Sequence, residues 1–228
     1  MSTTTAAGAA TGPRPPLSRD RVLRTAMSVA DANGLGALTI RSLAQQLGVK
    51  PMSVYYYVAN KDEILDAIVD MVFGEIELPQ VGGDWRTEMR RRANSARRVL
   101  QRHSWAITLV QSRLNPGPET LRHHDAFIGT LRSAGFSVAL TAHAFALIDS
   151  YVFGFALSEA ALPIHGPDSV SDVAESMMQQ YFDPGAYPHL LEFTTQHVMR
   201  PDYDFGDEFG YGLDLILNAL EVPPPFAQ

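Results

Sequence analysis

The chain is written almost throughout in the periodicity of helices. Apolar residues recur three and four positions apart, and no convincing run of period-two alternation appears, so the pattern predicts an all-α fold without a sheet. Ser18 can cap a first helix whose apolar positions are Val22, Ala26, Val29 and Ala30; Asn33–Gly34 should end it, because Gly tolerates the left-handed C-terminal conformation. Thr39 can cap a short second helix, Ile40–Leu47, closed by Gly48, and a third runs from about Pro51 to Val58. Asn60 followed by Glu63 has the pattern of a capping box and opens a fourth helix striped by Ile64, Leu65, Ile68, Val72 and Ile76. Asp84 caps Trp85–His103. Further helices are expected near Glu119–Ser133, Ser137–Ala161, Val170–Tyr181, Pro188–His197 and Phe205–Glu221.

Turn-rich breaks separate them at Pro79–Asp84, Asn115–Pro118, Pro163–Ser169 and Phe182–Pro188. Met1–Pro16 is Thr, Ala, Gly and Pro with one charge, Arg14. It lacks the basic start and apolar stretch of a signal peptide, so residues 1–17 read as a disordered tail. Residues 223–228 read as a short second tail.

Phe136–Ile164 is the longest apolar stretch and is long enough to span a bilayer. Asp149 sits near its middle, with His143, Ser150 and Glu159 around it and no basic flank. A carboxylate in mid-bilayer costs roughly 3 kcal/mol even on lenient scales. A helix buried in a core or subunit interface fits better, and the protein is read as soluble and cytoplasmic.

Composition agrees with a folded chain: 228 residues, 46% hydrophobic. Cys is 0, which removes disulfides, thiolate metal sites and Cys nucleophiles together. The net charge of -7 taken whole argues against nucleic acid. Its distribution argues the other way. From Arg14 to Lys61 there are seven basic residues and two acids, or +5; from Asp62 onward eleven basic residues face twenty-three acids, or −12. Both lysines of the chain, Lys50 and Lys61, lie in the basic segment. Such asymmetry suggests an anion-binding module joined to an acidic body.

Within the basic segment, residues 39–58 (TIRSLAQQLGVKPMSVYYYV) have the grammar of a helix-turn-helix. Ala44, four before Gly48, lets the next helix cross closely. Leu43, Leu47, Val49 and Val54 can fill the joint, and the second helix of such a unit enters the DNA major groove. Tyr55, Tyr56 and Tyr57 cover roughly 200° of a helix, so they cannot all face one core. At least one stands outward beside Lys50 and Ser53, where Tyr hydroxyls and Lys ammonium suit phosphate oxygens. Arg41 and Lys61 would flank the groove. An ordinary helical hairpin without a ligand is the plainer alternative.

Ser18–Leu65, and above all LTIRSLAQQLGVKPMSVYYYVANKDEIL, resembles the DNA-binding domain of the TetR family of bacterial transcriptional regulators. The matching elements are Leu38-Thr39, Leu43-Ala44, Gly48-Val49, Tyr55 and Asn60-Lys61. The resemblance implies that Tyr55 and Lys61 meet the phosphate backbone and that Arg41 reaches a base or phosphate. It also implies that Pro51, Met52 and Ser53 read bases, with Thr39, Lys50, Tyr56 and Tyr57 completing the expected contact set. Tyr57-Val58 departs from the His-Phe of many members and the His-Val of the tetracycline repressor. The domain is expected over residues 18–63.

Residues 64–222 resemble the C-terminal domain of the tetracycline-repressor subgroup, through Gly135–Ser137 opening a long helix and the ending FEFGYGLDLILNALE. Its stripe is Phe205, Phe209, Leu213, Leu217 and Leu220, with Gly206 and Gly210 spaced for close helix approach. The resemblance implies a homodimer, formed by the last helix and Ser137–Ala161 as a four-helix bundle, on a palindrome-like operator of double-stranded DNA. It also implies a pocket for a small-molecule effector that releases a repressor from DNA. Candidates to line it are Trp105, Phe127, His143, Asp149, Tyr151 and Phe155; Asp149, a carboxylate in an apolar helix, requires a partner. The subgroup's magnesium ligands do not fall at corresponding positions, so neither tetracycline nor magnesium is carried over.

No cofactor and no metal site is expected. Seven histidines, all beyond residue 102, form no His-x3-His pair, and adjacent His123 and His124 point about 100° apart on a helix. No P-loop, dinucleotide fingerprint or serine elbow appears, so catalysis is not expected. A helical dimeric ligand-binding protein with an idle helix-turn-helix is the nearer alternative, and a helical enzyme the more distant.

Overall fold

A computed structural model of the chain describes residues 16–110, 112, 115–162 and 186–221. The expected helix Val170–Tyr181, the loop Pro163–Ser169, most of the loop Phe182–Pro188 and nearly all of both tails lie outside the described residues. The described elements are helices, with no strand among them: α1 (Arg19–Ala37), α2 (Ile40–Leu47), α3 (Pro51–Val54), α4 (Lys61–Glu75), α5 (Trp85–Arg102), α6 (Ala106–Val110), α7 (Pro118–Ser133), α8 (Val138–Ala161), α9 (Pro188–Phe193) and α10 (Glu208–Ala219). The chain divides into two units between Ile68 and Val69, inside α4.

In the first unit the caps foreseen from sequence set the boundaries. Ser18 Oγ accepts from the Arg21 N–H, and Thr39 and Ser42 form a reciprocal capping box. Gly48 takes the left-handed conformation, φ 69°, and the chain turns there because its N–H and that of Val49 close back on the last carbonyls of α2. Leu43, Ala44, Leu47 and Val54 are buried in the joint, together with Val22, Ala26 and Ala30 of α1. Each large apolar side chain so buried contributes about 1.5–3 kcal/mol.

Three local boundaries differ from the pattern. Helix α1 breaks at Gly34, φ 73°, but a further turn follows before Leu38. Helix α3 is regular only over Pro51–Val54; Tyr55–Tyr57 continue as turns, closed by Tyr57 N–H to the Val54 carbonyl. At α4 the cap is Asn60, whose Oδ1 accepts from the Glu63 N–H. Glu63 reaches back to the N–H of Ala59 instead of that of Asn60.

In the second unit α5 packs against α7, α8 and α10, and Met89, Ala93, Ala96, Phe127, Leu131, Ile148, Val152, Phe209, Leu213 and Leu217 form the core. Asp84 caps α5 as expected, and Ser137, expected as the first residue of the long helix, is the cap of α8. Helix α6 is a single turn and a half, too short for a periodic signal. The expected helix Pro188–His197 is α-helical to Phe193 and then widens into a π turn over Thr194–Val198; a 3-10 turn, Phe205–Asp207, precedes α10.

Of the expected pair Gly206 and Gly210, only Gly206 meets a close neighbour, and Gly212 takes the place of the other. A Cβ on Gly206 would strike Arg97, and one on Gly212 would strike the Tyr151 ring, whereas Gly210 has open space beside it. Helix α7 has no cap of its own at Gly117. Asp70 of α4 supplies one, accepting from the Thr120 N–H and hydroxyl, both at 2.8 Å, and from the Glu119 N–H at 3.3 Å. Any side chain at Gly117 would collide with that carboxylate. Asp70→Ala should therefore cost about 1–2 kcal/mol of stability in urea unfolding with the helix content of the native state unchanged. An unaltered midpoint would show that α7 does not depend on this cap.

Candidate nucleic-acid interface and effector cavity

The turn between α2 and α3 puts the basic residues and tyrosines of the first unit at its surface. Thr39, Arg41, Lys50, Pro51 and Lys61 are exposed, and Ser53 is half-buried. Met52 is 70% exposed, Tyr55 46% and Tyr56 88%, high values for apolar rings and a thioether on a folded domain. Arg19 and Arg24 are engaged with Glu63 and Asp20. By contrast, neither Arg41 nor Lys50 has a carboxylate partner among the described residues, and Lys61 Nζ touches only the Leu35 carbonyl, at 3.5 Å. Unpaired cations beside exposed hydroxyl-bearing rings are suited to phosphate oxygens.

Tyr57 departs from this set. Its ring is half-buried and its hydroxyl donates to the Leu17 carbonyl at 2.9 Å, so it ties the start of α1 to the turn after α3. The outward-facing tyrosines are Tyr55 and Tyr56. The three-fold fan predicted from sequence thus resolves into two presented rings and one anchor.

In the second unit the partner that Asp149 requires is Arg92 of α5. Nη1 of Arg92 donates to Asp149 Oδ1 at 2.6 Å, and the guanidinium lies 4.7 Å from the centre of the Phe127 ring. Arg92 is 1% exposed and its Nε and Nη2 have no hydrogen-bond partner. His123 of α7 is equally buried, with both ring nitrogens unpartnered. Phe73 packs against His123 and His124, and Phe145 against His124 and Phe127, closing an aromatic shell. A cavity of about 430 Å³ opens between α7 and α8, walled by His124, Ile128, Thr141, Ala142 and Phe145 among others. That volume suits a small organic molecule.

Of the six candidates from sequence, Phe127 and Asp149 belong to this cluster. Trp105 is buried next to His103 at the end of α5. Tyr151 and Phe155 lie in a second aromatic cluster with Phe205 and Phe209: the Tyr151 hydroxyl donates to the carbonyls of Glu208 and Phe209, and Arg97 stacks over Phe155 and Phe209. They fasten α8 to α10. His143 is exposed on α8, so it joins neither cluster. Arg92, His123, His124, Phe73 and Phe145 escaped the sequence reading. The available signal was spacing: Met89, Arg92 and Ala96 share one face of α5, and an arginine on an apolar stripe needs an internal acid.

Burial above all, then the charges of Arg92 and His124, pushes His123 from 6.5 down to about 3. Burial also lowers His124, against the pull of Asp149. His123 is therefore neutral in the folded protein at physiological pH. Below about 6.5 the unfolded chain takes up a proton that the folded chain refuses, so this residue destabilises progressively as pH falls toward 3. The slope is about 1.4 kcal/mol per pH unit. His123→Phe should remove that contribution, seen as a shallower loss of thermal stability between pH 6 and pH 4 at one protein concentration. Parallel curves would mean the imidazole is not held neutral.

Residues 22–68 match the family described as bacterial regulatory proteins, tetR family, and residues 78–223 the tetracyclin repressor-like C-terminal domain. The HTH-type transcriptional repressor DrrR1 of Streptomyces coeruleorubidus is 34% identical over 92% of this chain and 80% of its own length. The class C tetracycline repressor protein of Escherichia coli is 29% identical, covering 90% of this chain and 91% of the repressor. Among solved structures, Streptomyces coelicolor ActR in complex with actinorhodin superposes with a TM-score of 0.74 at 28% identity, over 90% of this chain and 97% of ActR. With its helix-turn-helix exposed and its larger helical unit built around a polar core, the chain belongs to the TetR family and is a DNA-binding transcriptional repressor, dimeric and responsive to a small molecule, not an enzyme.

Proposed function

We propose that the repressor grips a palindrome-like operator through Arg41, Lys50, Pro51, Met52, Ser53, Tyr55, Tyr56 and Lys61 of each subunit, with Thr39 at the start of α2. The observation that carries this is the coincidence of three cations without carboxylate partners and two exposed tyrosines around one short helix. Lys61, Lys50 and Tyr55 act on phosphates; Met52, Pro51 and Ser53 face base edges. Residues 18–63 form the DNA-binding domain and residues 64–222 the effector-binding and dimerising domain, working in the cytoplasm. An idle helix-turn-helix would have no need to leave its cations unpaired.

Dimerisation uses α8 and α10 as a four-helix bundle with their counterparts. Helix α8 is 24 residues long and its central stretch is strongly apolar, yet only 28% of that stretch is buried within one chain. Leu147 and Leu157 on α8, and Tyr211 and Leu215 on α10, are exposed. Asp149 on the opposite side is ion-paired inside the protein, which fits a subunit interface and not a bilayer. Leu215→Glu should shift the protein toward monomer in sedimentation and reduce operator affinity with it, because each subunit reads one half-site.

The effector enters the aromatic cavity of the second unit. ActR binds actinorhodin and (S)-DNPA, and a small organic molecule of that general kind is the class we assign here. The decisive experiment is selection of bound sequences from random DNA, with fluorescence anisotropy on the winner. Lys61→Ala should weaken binding about equally on every site and flatten the salt dependence by about one ion. Met52→Ala should relax sequence preference with little change in that slope. If the full-length protein shows no salt-sensitive selection of any sequence, the contact assignment falls.

A further inference from the structure

Resting on the effector reading above, we infer that the core of the second unit is built for an aromatic acid, held by the unengaged edge of Arg92 and by the buried ring of His123. The argument begins with which atoms are orphaned. Arg92 gives Nη1 to Asp149, and what remains are Nε and Nη2. In a guanidinium these two lie on one edge and point their N–H bonds in parallel. That edge matches the spacing of two oxygens on one carboxylate. A fully buried arginine with its two-pronged edge empty is far from the usual state of buried polar groups.

His123 narrows the chemistry. Both of its nitrogens are buried and neither makes a well-formed hydrogen bond; the Glu77 backbone pulls only weakly upward on a pKa that burial holds at about 3, so the ring offers one N–H donor and one acceptor. His123 and Phe127 stand four residues apart on one face of α7, and Arg92 lies over the Phe127 ring, so both polar groups border the same part of the core. An acid oxygen on the Arg92 edge and a second polar group on His123 together satisfy all four orphaned atoms.

Charge and shape complete the case. Asp149 already balances Arg92, so what the edge lacks is acceptors, and a carboxylate supplies two. A primary amide supplies one and turns an N–H₂ donor toward a donor. Around these groups stand the faces of Phe127 and Phe73, and Phe145 links Phe127 to the wall of the cavity between α7 and α8. Flat rings suit such walls.

The test compares 2-naphthoate with 2-naphthamide on the full-length dimer, by calorimetry and by the side-chain ¹⁵N resonances of arginine. The naphthoate should bind at least about tenfold more tightly than the amide and move the Arg92 Nε signal. Arg92→Lys keeps a cation opposite Asp149 but removes the planar edge, and should erase the preference for acid over amide. His123→Phe, which leaves the Arg92–Asp149 pair intact, should weaken the naphthoate severalfold. Neither compound binding at millimolar concentration, both binding alike, or Arg92→Lys retaining the preference would each overturn the inference. Operator binding by the wild-type protein is measured in parallel. If it persists while the naphthoate fails, the regulator reading stands without this ligand; if it is absent, that reading fails whatever the naphthoate does.

Discussion

A charge placed inside a protein needs a partner, and in the larger unit that requirement is met by Arg92 and Asp149. The apolar stripe of α8 would otherwise carry a lone carboxylate, and the apolar stripe of α5 a lone guanidinium. Removing one member of such a buried pair costs about 3–5 kcal/mol, because the survivor is left in low dielectric without compensation. The pair therefore fixes how α5 meets α8. Phe127, stacked against the same guanidinium, brings α7 to the same point. Three helices are registered by one arginine.

That arginine is the innermost member of a larger arrangement. Seven of the eleven basic residues beyond Lys61 lie on α5. Arg86 donates to the carbonyls of Leu217 and Leu220 at the end of α10, where the helix dipole favours a cation. Arg90 pairs with Asp214, Arg91 with Glu77 and Glu88, Arg97 with Glu159, Arg98 with Glu77 and Arg102 with Glu75. Most of these are half-exposed and individually weak. Their collective effect is on charge distribution: the cations of α5 are consumed internally, and the second unit keeps its acidic exterior. The small basic unit does the reverse, leaving Arg41 and Lys50 without carboxylates. Net charge summed over the whole chain hides this division, which is why -7 coexists with a basic DNA-binding unit.

What was legible in the sequence was local. Ser18, Thr39, Asn60 and Asp84 are caps because a short polar side chain meets an N–H two or three residues on, and nothing distant is needed. Gly48 turns the chain for reasons contained in its own φ. What was hidden is non-local. Asp70 caps a helix fifty residues away, and no pattern around Gly117 announces it. Arg92 reads as one more surface arginine in the run Arg90–Arg92 until Asp149 is folded onto it. His123 and His124 look alike as neighbours, yet the ring of His123 lies wholly inside. Tyr57 is separated from its exposed neighbours only by the Leu17 carbonyl, forty residues earlier.

The same non-local contacts bear on how a ligand could be felt. A molecule on the Arg92 edge would touch α5 through Arg92, α7 through His123 and Phe127, and α8 through Asp149. Helix α7 is capped by Asp70, and α4, which carries Asp70, runs on from one unit into the other. Helix α8 carries the exposed apolar residues Leu147 and Leu157. Binding energy gained at the edge can weaken operator binding only to the extent that the ligand prefers the arrangement of these helices that DNA disfavours. By linkage, operator DNA must then weaken the ligand by the same factor. A core that leaves the Nε–Nη2 edge of Arg92 unsatisfied is suited to such a preference, because an acid seated on that edge need not hold α5, α7 and α8 as they stand without it.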